Sequence, residues 1–273
     1  MKLSARSPIL AAHAVAFATC VSAQWVNYPA AGVPMTPSGV PNLGAPTPKT
    51  ADSKPDFSGI WEADNTRSVR PCPVSSCQEN PISEQWGDIA AGLPGPLPFQ
   101  SWAAEVVKQR KARNGGDDPE TKCLPLGVPR IHTSAQLRKF IQTPGLLLIL
   151  TEFNASYRQI FTDGRPLPVD PQPSWNGYSS GKWEGDTLVV ETNGLREMWL
   201  DRAGSPLTEA ARVTERFRRL NYGNMEVEIT VNDPKAYTRS WSTKVHQFLV
   251  VNTELLDYIC LENEKDLKHL GAK

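Results

Sequence analysis

The chain lacks an apolar run long enough to cross a membrane as a helix. Its longest such stretch, Pro8 to Val21, is interrupted by His13 and falls short of the ~20 residues that a spanning helix needs. It follows Lys2 and Arg6 and ends in Val21-Ser22-Ala23, the pattern of an export signal cut after a small residue, so cleavage is expected before Gln24. The expected location is outside the cytoplasm, in a periplasm or beyond the cell. Lipid attachment at Cys20 is disfavoured, because Thr19 stands where a lipobox carries Gly or Ala.

Surplus charge is also missing. The whole chain has 29 basic and 29 acidic residues, and Lys2 and Arg6 leave with the signal. The exported chain is therefore slightly acidic, which argues against nucleic acid or an anionic membrane as a main partner. No G-x-G-x-x-G element precedes a helix and no P-loop is present, so nucleotide chemistry, and an organic cofactor generally, is not expected. Histidine is scarce: His132, His246 and His269 remain after cleavage, with no two close in sequence. Closely spaced cysteine pairs of the C-x-x-C type are absent as well, and no metal site is expected.

Four cysteines remain beyond the signal, Cys72, Cys77, Cys123 and Cys260. An even count in an oxidising compartment predicts two disulfides. Of the three connectivities, the reading favours a local Cys72–Cys77 loop and a Cys123–Cys260 bridge tying the C-terminus to the middle of the chain.

Three regions follow: a signal at 1–23, a Pro/Gly-rich extended leader at 24–55, and one domain at 56–273, large enough for a single core. Pro98 to Arg113 reads as the one helix, with Trp102, Val106 and Val107 on one face and basic residues near its end. After Cys123 strands succeed one another through short turns: Phe140 to Gln142, Leu146 to Phe153, Tyr157 to Thr162, Gly177 to Glu184, Asp186 to Thr192, Arg212 to Leu220, Met225 to Asn232, Thr243 to Val251 and Leu255 to Cys260. The fold class is mainly β, an antiparallel meander closing into a barrel with one helix before the main strand set, since closure removes the edges.

Met225, Val227, Ile229 and Val231 share one face of their strand, and Val213 and Phe217 share one face of the partner. Glu215 breaks the pattern, because parity places it between Val213 and Phe217 on the apolar side. A carboxylate there has either a raised pKa, suited to acid/base chemistry, or a buried salt bridge, with Arg158 as the partner to expect. His132 follows the irregular Cys123-Leu-Pro-Leu-Gly-Val-Pro-Arg130 segment, expected to cross an opening of the barrel, where loops supply functional groups. Asp201 and Arg202 follow Trp199 in an interstrand loop and form a charge pair for the mouth of a cavity or for the surface. Tyr157, Tyr178, Trp183, Trp199, Tyr237 and Trp241 are the candidate lining for an aromatic or apolar ligand, or else ordinary core fillers.

Gly177-Tyr178-Ser179-Ser180-Gly181 matches G-x-S-x-G, but that motif needs a strand-to-helix turn and a hairpin follows here. Asn154-Ala155-Ser156 is a glycosylation sequon at an expected turn.

Gly59-Ile60-Trp61 resembles the G-x-W signature on the first strand of lipocalin-like, or calycin, barrels. That resemblance implies an arginine near the end of the barrel packing over Trp61, and the segment read as the last strand supplies none. Over most of its exported length the chain also resembles an uncharacterised family of secreted bacterial proteins. The matching segments are Lys54-Pro-Asp-Phe-Ser-Gly-Ile-Trp61, Cys123 to Arg130, Arg158-Gln-Ile-Phe-Thr-Asp-Gly-Arg165, Trp183-Glu-Gly-Asp186 and Glu262-Asn-Glu-Lys-Asp266.

Two functions fit this reading. One is a barrel that holds a small apolar or aromatic molecule in its lumen. The other is a cofactor-free isomerase, cyclase or lyase, in which His132, Glu215 or Asp201 moves a proton and Arg158 or Arg202 stabilises negative charge.

Overall fold

The structure, a computed structural model, describes residues 28–64, 87–90 and 93–262. The expected signal, Cys72, Cys77 and His269 lie outside the described residues.

The strands are β1 (Gly59–Ala63), β2 (Arg138–Thr143), β3 (Leu146–Thr151), β4 (Ser156–Phe161), β5 (Tyr178–Glu184), β6 (Thr187–Asn193), β7 (Met198–Trp199), β8 (Pro206–Leu207), β9 (Arg212–Asn221), β10 (Asn224–Asn232) and β11 (Trp241–Val250). Nine of them close a barrel in the order β1-β11-β10-β9-β6-β5-β4-β3-β2, while β7 and β8 form a separate ribbon. The chain is mainly β, as its alternation predicts. One pair departs from a pure meander: β4 and β5 run parallel and meet only at Ile160↔Ser179 and Phe161↔Ser180. The reason lies in residues 162–177, whose Pro and Gly run carries the chain back along the wall, where a tight turn would have given a hairpin.

Inward positions repeat at every second residue, giving the buried series Val213, Glu215, Phe217 on β9 and Met225, Val227, Ile229, Val231 on β10. Phe57, Trp61, Phe140 and Phe217 pack in the interior with ring centroids 6.2–6.4 Å apart. Each such side chain, fully buried, contributes roughly 1.5–3 kcal/mol by leaving water.

Leu255 to Cys260 is not the last strand; it carries a single isolated bridge, Phe153↔Tyr258, and β11 closes the sheet against β1. Cys123–Cys260 anchors that tail at a Cα separation of 5.4 Å. Asn154 works beside the bridge, its amide donating to the Cys123 carbonyl at 2.6 Å and accepting from the Cys260 amide at 3.2 Å. A glycan on this nitrogen would displace the first contact.

An arginine does lie over Trp61, but it comes from the middle of the chain. The Arg219 guanidinium sits 5.0 Å from the Trp61 ring centre and donates to the carbonyls of Asn221, Tyr222 and Asp56. Arg219 follows Phe217 by two residues, so the same inward parity delivers it.

The helix α1 (Ser101–Ala112) buries Ala103 and Val107. Trp102 is not on that buried face; it is 44% exposed and lies on the surface with its Nε1 donating to the Lys235 carbonyl at 2.7 Å. The leader runs along the barrel from residue 28. Its Leu43 and Ala45 carbonyls accept from the amides of Gly223 and Tyr222, and a tight turn at 50–53 is closed by the Thr50 amide donating to the Lys54 carbonyl.

Candidate functional site

The Gly127 to Thr133 segment plugs one end of the barrel. It turns through a cis Val128–Pro129 bond and a short 3-10 helix, Arg130–Thr133, whose four residues are all buried. The plug is fastened by Arg138, at the start of β2, whose guanidinium donates to the carbonyls of Ile131 (2.9 Å) and Ser134 (3.2 Å) and to the Gln247 amide oxygen. Gln247 in turn donates to the His132 carbonyl at 3.0 Å. Both Arg138 and Gln247 occupy inward positions on their strands, a signal present in the alternation of β2 and β11.

The plug brings His132 to Glu215 and Arg158. His132 Nε2 lies 2.6 Å from Glu215 Oε1, and Arg158 Nη1 donates to the same oxygen at 2.8 Å while its Nη2 donates to Oε2. Arg158 also donates to the hydroxyls of Ser179 and Thr192, at 3.1 and 3.0 Å. Ser179 is therefore a hydrogen-bonding member of a strand network, and no helix follows it. All five side chains are essentially excluded from solvent.

Burial acts to raise the Glu215 pKa, but the paired Arg158 charge, its hydrogen bonds and His132 outweigh it, and the carboxyl falls to about 2. Glu215 is thus ionised, the salt-bridge alternative and not the raised-pKa one. Burial pushes the His132 pKa down, although Glu215 opposes this, and the ring is neutral. A carboxylate can only accept, so Nε2 carries the ring proton. Nδ1 is left as a buried lone pair with no hydrogen-bond partner among the described protein groups.

Asp201 and Arg202 do not join this cluster. They sit on the excursion between β6 and β9, where half-exposed Arg202 pairs with Glu120 at 2.8 Å. Asp201 is buried and accepts from the Ser205 amide at 3.0 Å through Oδ1, while Oδ2 has no hydrogen-bond partner among the described residues. Burial, reinforced by nearby Asp88, pushes its carboxyl up to about 6. The Arg130 guanidinium close by is occupied, forming ion pairs with Asp118 and Glu120 at 2.7 and 2.6 Å.

The six aromatics do not converge either. Trp199, Tyr237 and Trp241 are core: Arg110 covers Trp199, the Tyr237 hydroxyl donates to the Pro206 carbonyl at 2.8 Å, and Trp241 meets the Tyr237 ring edge-on. Tyr157 and Tyr178 stand at the β4–β5 seam. Trp183 alone reaches the other end of the lumen.

That end is a mouth. The inward residues nearest it, Gln142, Leu147, Thr162, Trp183 and Leu188, line a cavity of about 420 Å³ bordered by the β2–β3 turn and by leader residues 50–52. Phe57 stacks on Trp183 with centroids 5.5 Å apart and planes within 5°. Gln142 ties the leader over this opening, accepting from the Phe57 amide at 2.8 Å and donating to the Pro55 carbonyl at 3.1 Å. A surface Lys49–Asp186 pair at 2.7 Å adds a second tie.

Compared with protein-family models and with curated proteins, the chain matches none.

Proposed function

We propose that this is an exported, lipocalin-like barrel that binds a small apolar or aromatic molecule at the mouth of its lumen. The observation that carries the reading is the mouth cavity: about 420 Å³, within the size range of small-ligand sites, with Leu147, Leu188 and Trp183 as apolar surface and few groups able to hold an ion. A flat apolar ligand gains by leaving water and by stacking on Trp183, whose ring Phe57 already holds in place. The export signal and the Cys123–Cys260 bridge fit a protein working in an oxidising compartment.

The test is intact mass of the exported protein, native against denatured. A native excess that an apolar extract of the same sample reproduces supports the reading. Equal masses, with no extracted compound able to rebind, count against it.

A second reading rests on the bare Nδ1 of His132. A neutral imidazole with its other nitrogen fixed by an ionised carboxylate is a proton acceptor already oriented, as a cofactor-free isomerase, cyclase or lyase would need. Glu215 is not the base in this version; it fixes the ring. The His132→Asn variant must then abolish turnover while leaving ligand retention at the mouth intact.

A further inference from the structure

The barrel wall has a second opening, independent of the mouth. β4 and β5 share only two rungs, and above them the strands part around a groove of about 420 Å³. Gly177 enters β5 at φ +61°, and any Cβ there would lie 2.5 Å from the Asn193 carbonyl oxygen, so the glycine lets β5 draw close to β6 on the side away from β4. The Asn176 side chain donates to the Tyr157 carbonyl at 2.8 Å, standing where the next rung of the ladder would form.

We infer that this groove binds a neutral saccharide. Among the described residues its lining contains a single charged side chain, Arg158, which is buried and already paired with Glu215. Phosphates and carboxylates therefore find no free cation in it, and ammonium groups find no carboxylate. What the groove offers is aromatic surface and neutral hydrogen-bonding groups together. Tyr157 is 60% exposed, and Trp175, half-buried with one face covered by the Arg196 guanidinium at 4.6 Å, also borders the groove. Gln159 and Asn176 supply amides and Ser174 a hydroxyl. Amides both donate and accept, as sugar hydroxyls do, and an exposed ring packs against the C–H face of a pyranose. An extended peptide is less well matched, because Asn176 already occupies the Tyr157 carbonyl that an added strand would use.

The test titrates the exported protein with cellotetraose, maltotetraose, xylotetraose and chitotetraose by calorimetry, with a hexa-alanine peptide as the competing class. At least one tetrasaccharide binds with 1:1 stoichiometry, and Tyr157→Ala and Gln159→Ala each weaken it at least tenfold. Both positions are exposed, so the variants fold, and unchanged thermal unfolding verifies this. The Thr162→Phe variant, which fills the mouth, leaves saccharide binding unchanged, so failure here and failure of the mouth reading are separable. The inference is overturned if no tetrasaccharide binds, if the peptide binds instead, or if binding survives both groove variants.

Discussion

The two ends of the barrel are closed by opposite chemistry. At the plugged end, charged groups are withdrawn from water and every carboxylate oxygen of Glu215 is matched by Arg158 or His132. At the mouth, the wall is largely apolar and the cover is held by hydrogen bonds to backbone groups, among them those of Gln142 and Arg219, and by one surface ion pair. Buried charges tolerate no partial arrangement, because losing one partner strands the other in low dielectric. The mouth can loosen without stranding any charge. One end is therefore fixed, and the other is where a molecule can enter.

Breaking the plugged end should have the largest effect. Replacing Glu215 with Gln leaves Arg158 buried without its counter-charge, an expected loss of about 3–5 kcal/mol in urea unfolding. Replacing both Glu215 and Arg158 by Leu and Met should recover most of it. A double variant no more stable than the single one would show that the ion pair is not the cause.

Titration separates two buried carboxyls of this half of the molecule. Glu215, depressed to about 2, contributes stability that is full above the unfolded pKa of ~4.3 and is lost as the pH falls through 4 towards 2. Asp201, raised to about 6, behaves oppositely: stability is highest below the unfolded value of ~3.9 and declines as the pH rises through 6. At pH 7 the Asp201→Asn variant should therefore be more stable than the parent by about 3 kcal/mol, the gain vanishing near pH 4. Unfolding midpoints of both proteins across pH 4–8 provide the comparison.

At the mouth the effects are smaller and local. Gln142→Ala removes both side-chain hydrogen bonds from Gln142 to the leader and should cost about 1–2 kcal/mol, with trypsin cutting sooner after Lys49. Asp186→Asn, which breaks a pair at the surface, should cost at most about 1 kcal/mol, read from the same unfolding curves.

The sequence carried the strands well because inward positions in β9 to β11 alternate cleanly. Glu215 stood out as the one charge on an apolar face, and Arg158 was its expected partner. The contributions of Arg138, Gln247 and Arg219 were also written in parity, each lying two residues from a buried apolar neighbour. Other features leave no local trace. The parallel β4–β5 seam depends on how the irregular 162–177 segment is routed. The separation of the six aromatics into core, seam and mouth depends on shear around the closed sheet. The meeting of His132 with Glu215, 83 residues apart, depends on a plug whose path is set by tertiary contacts.

The most direct test of the mouth as a binding site is a titration with the neutral fluorophore N-phenyl-1-naphthylamine, comparing the parent with Trp183→Ala and Thr162→Phe. A binding mouth gives saturable 1:1 binding that weakens at least tenfold in both variants while unfolding stability stays within about 2 kcal/mol of the parent. Absence of saturable binding, or binding indifferent to both substitutions, would contradict it.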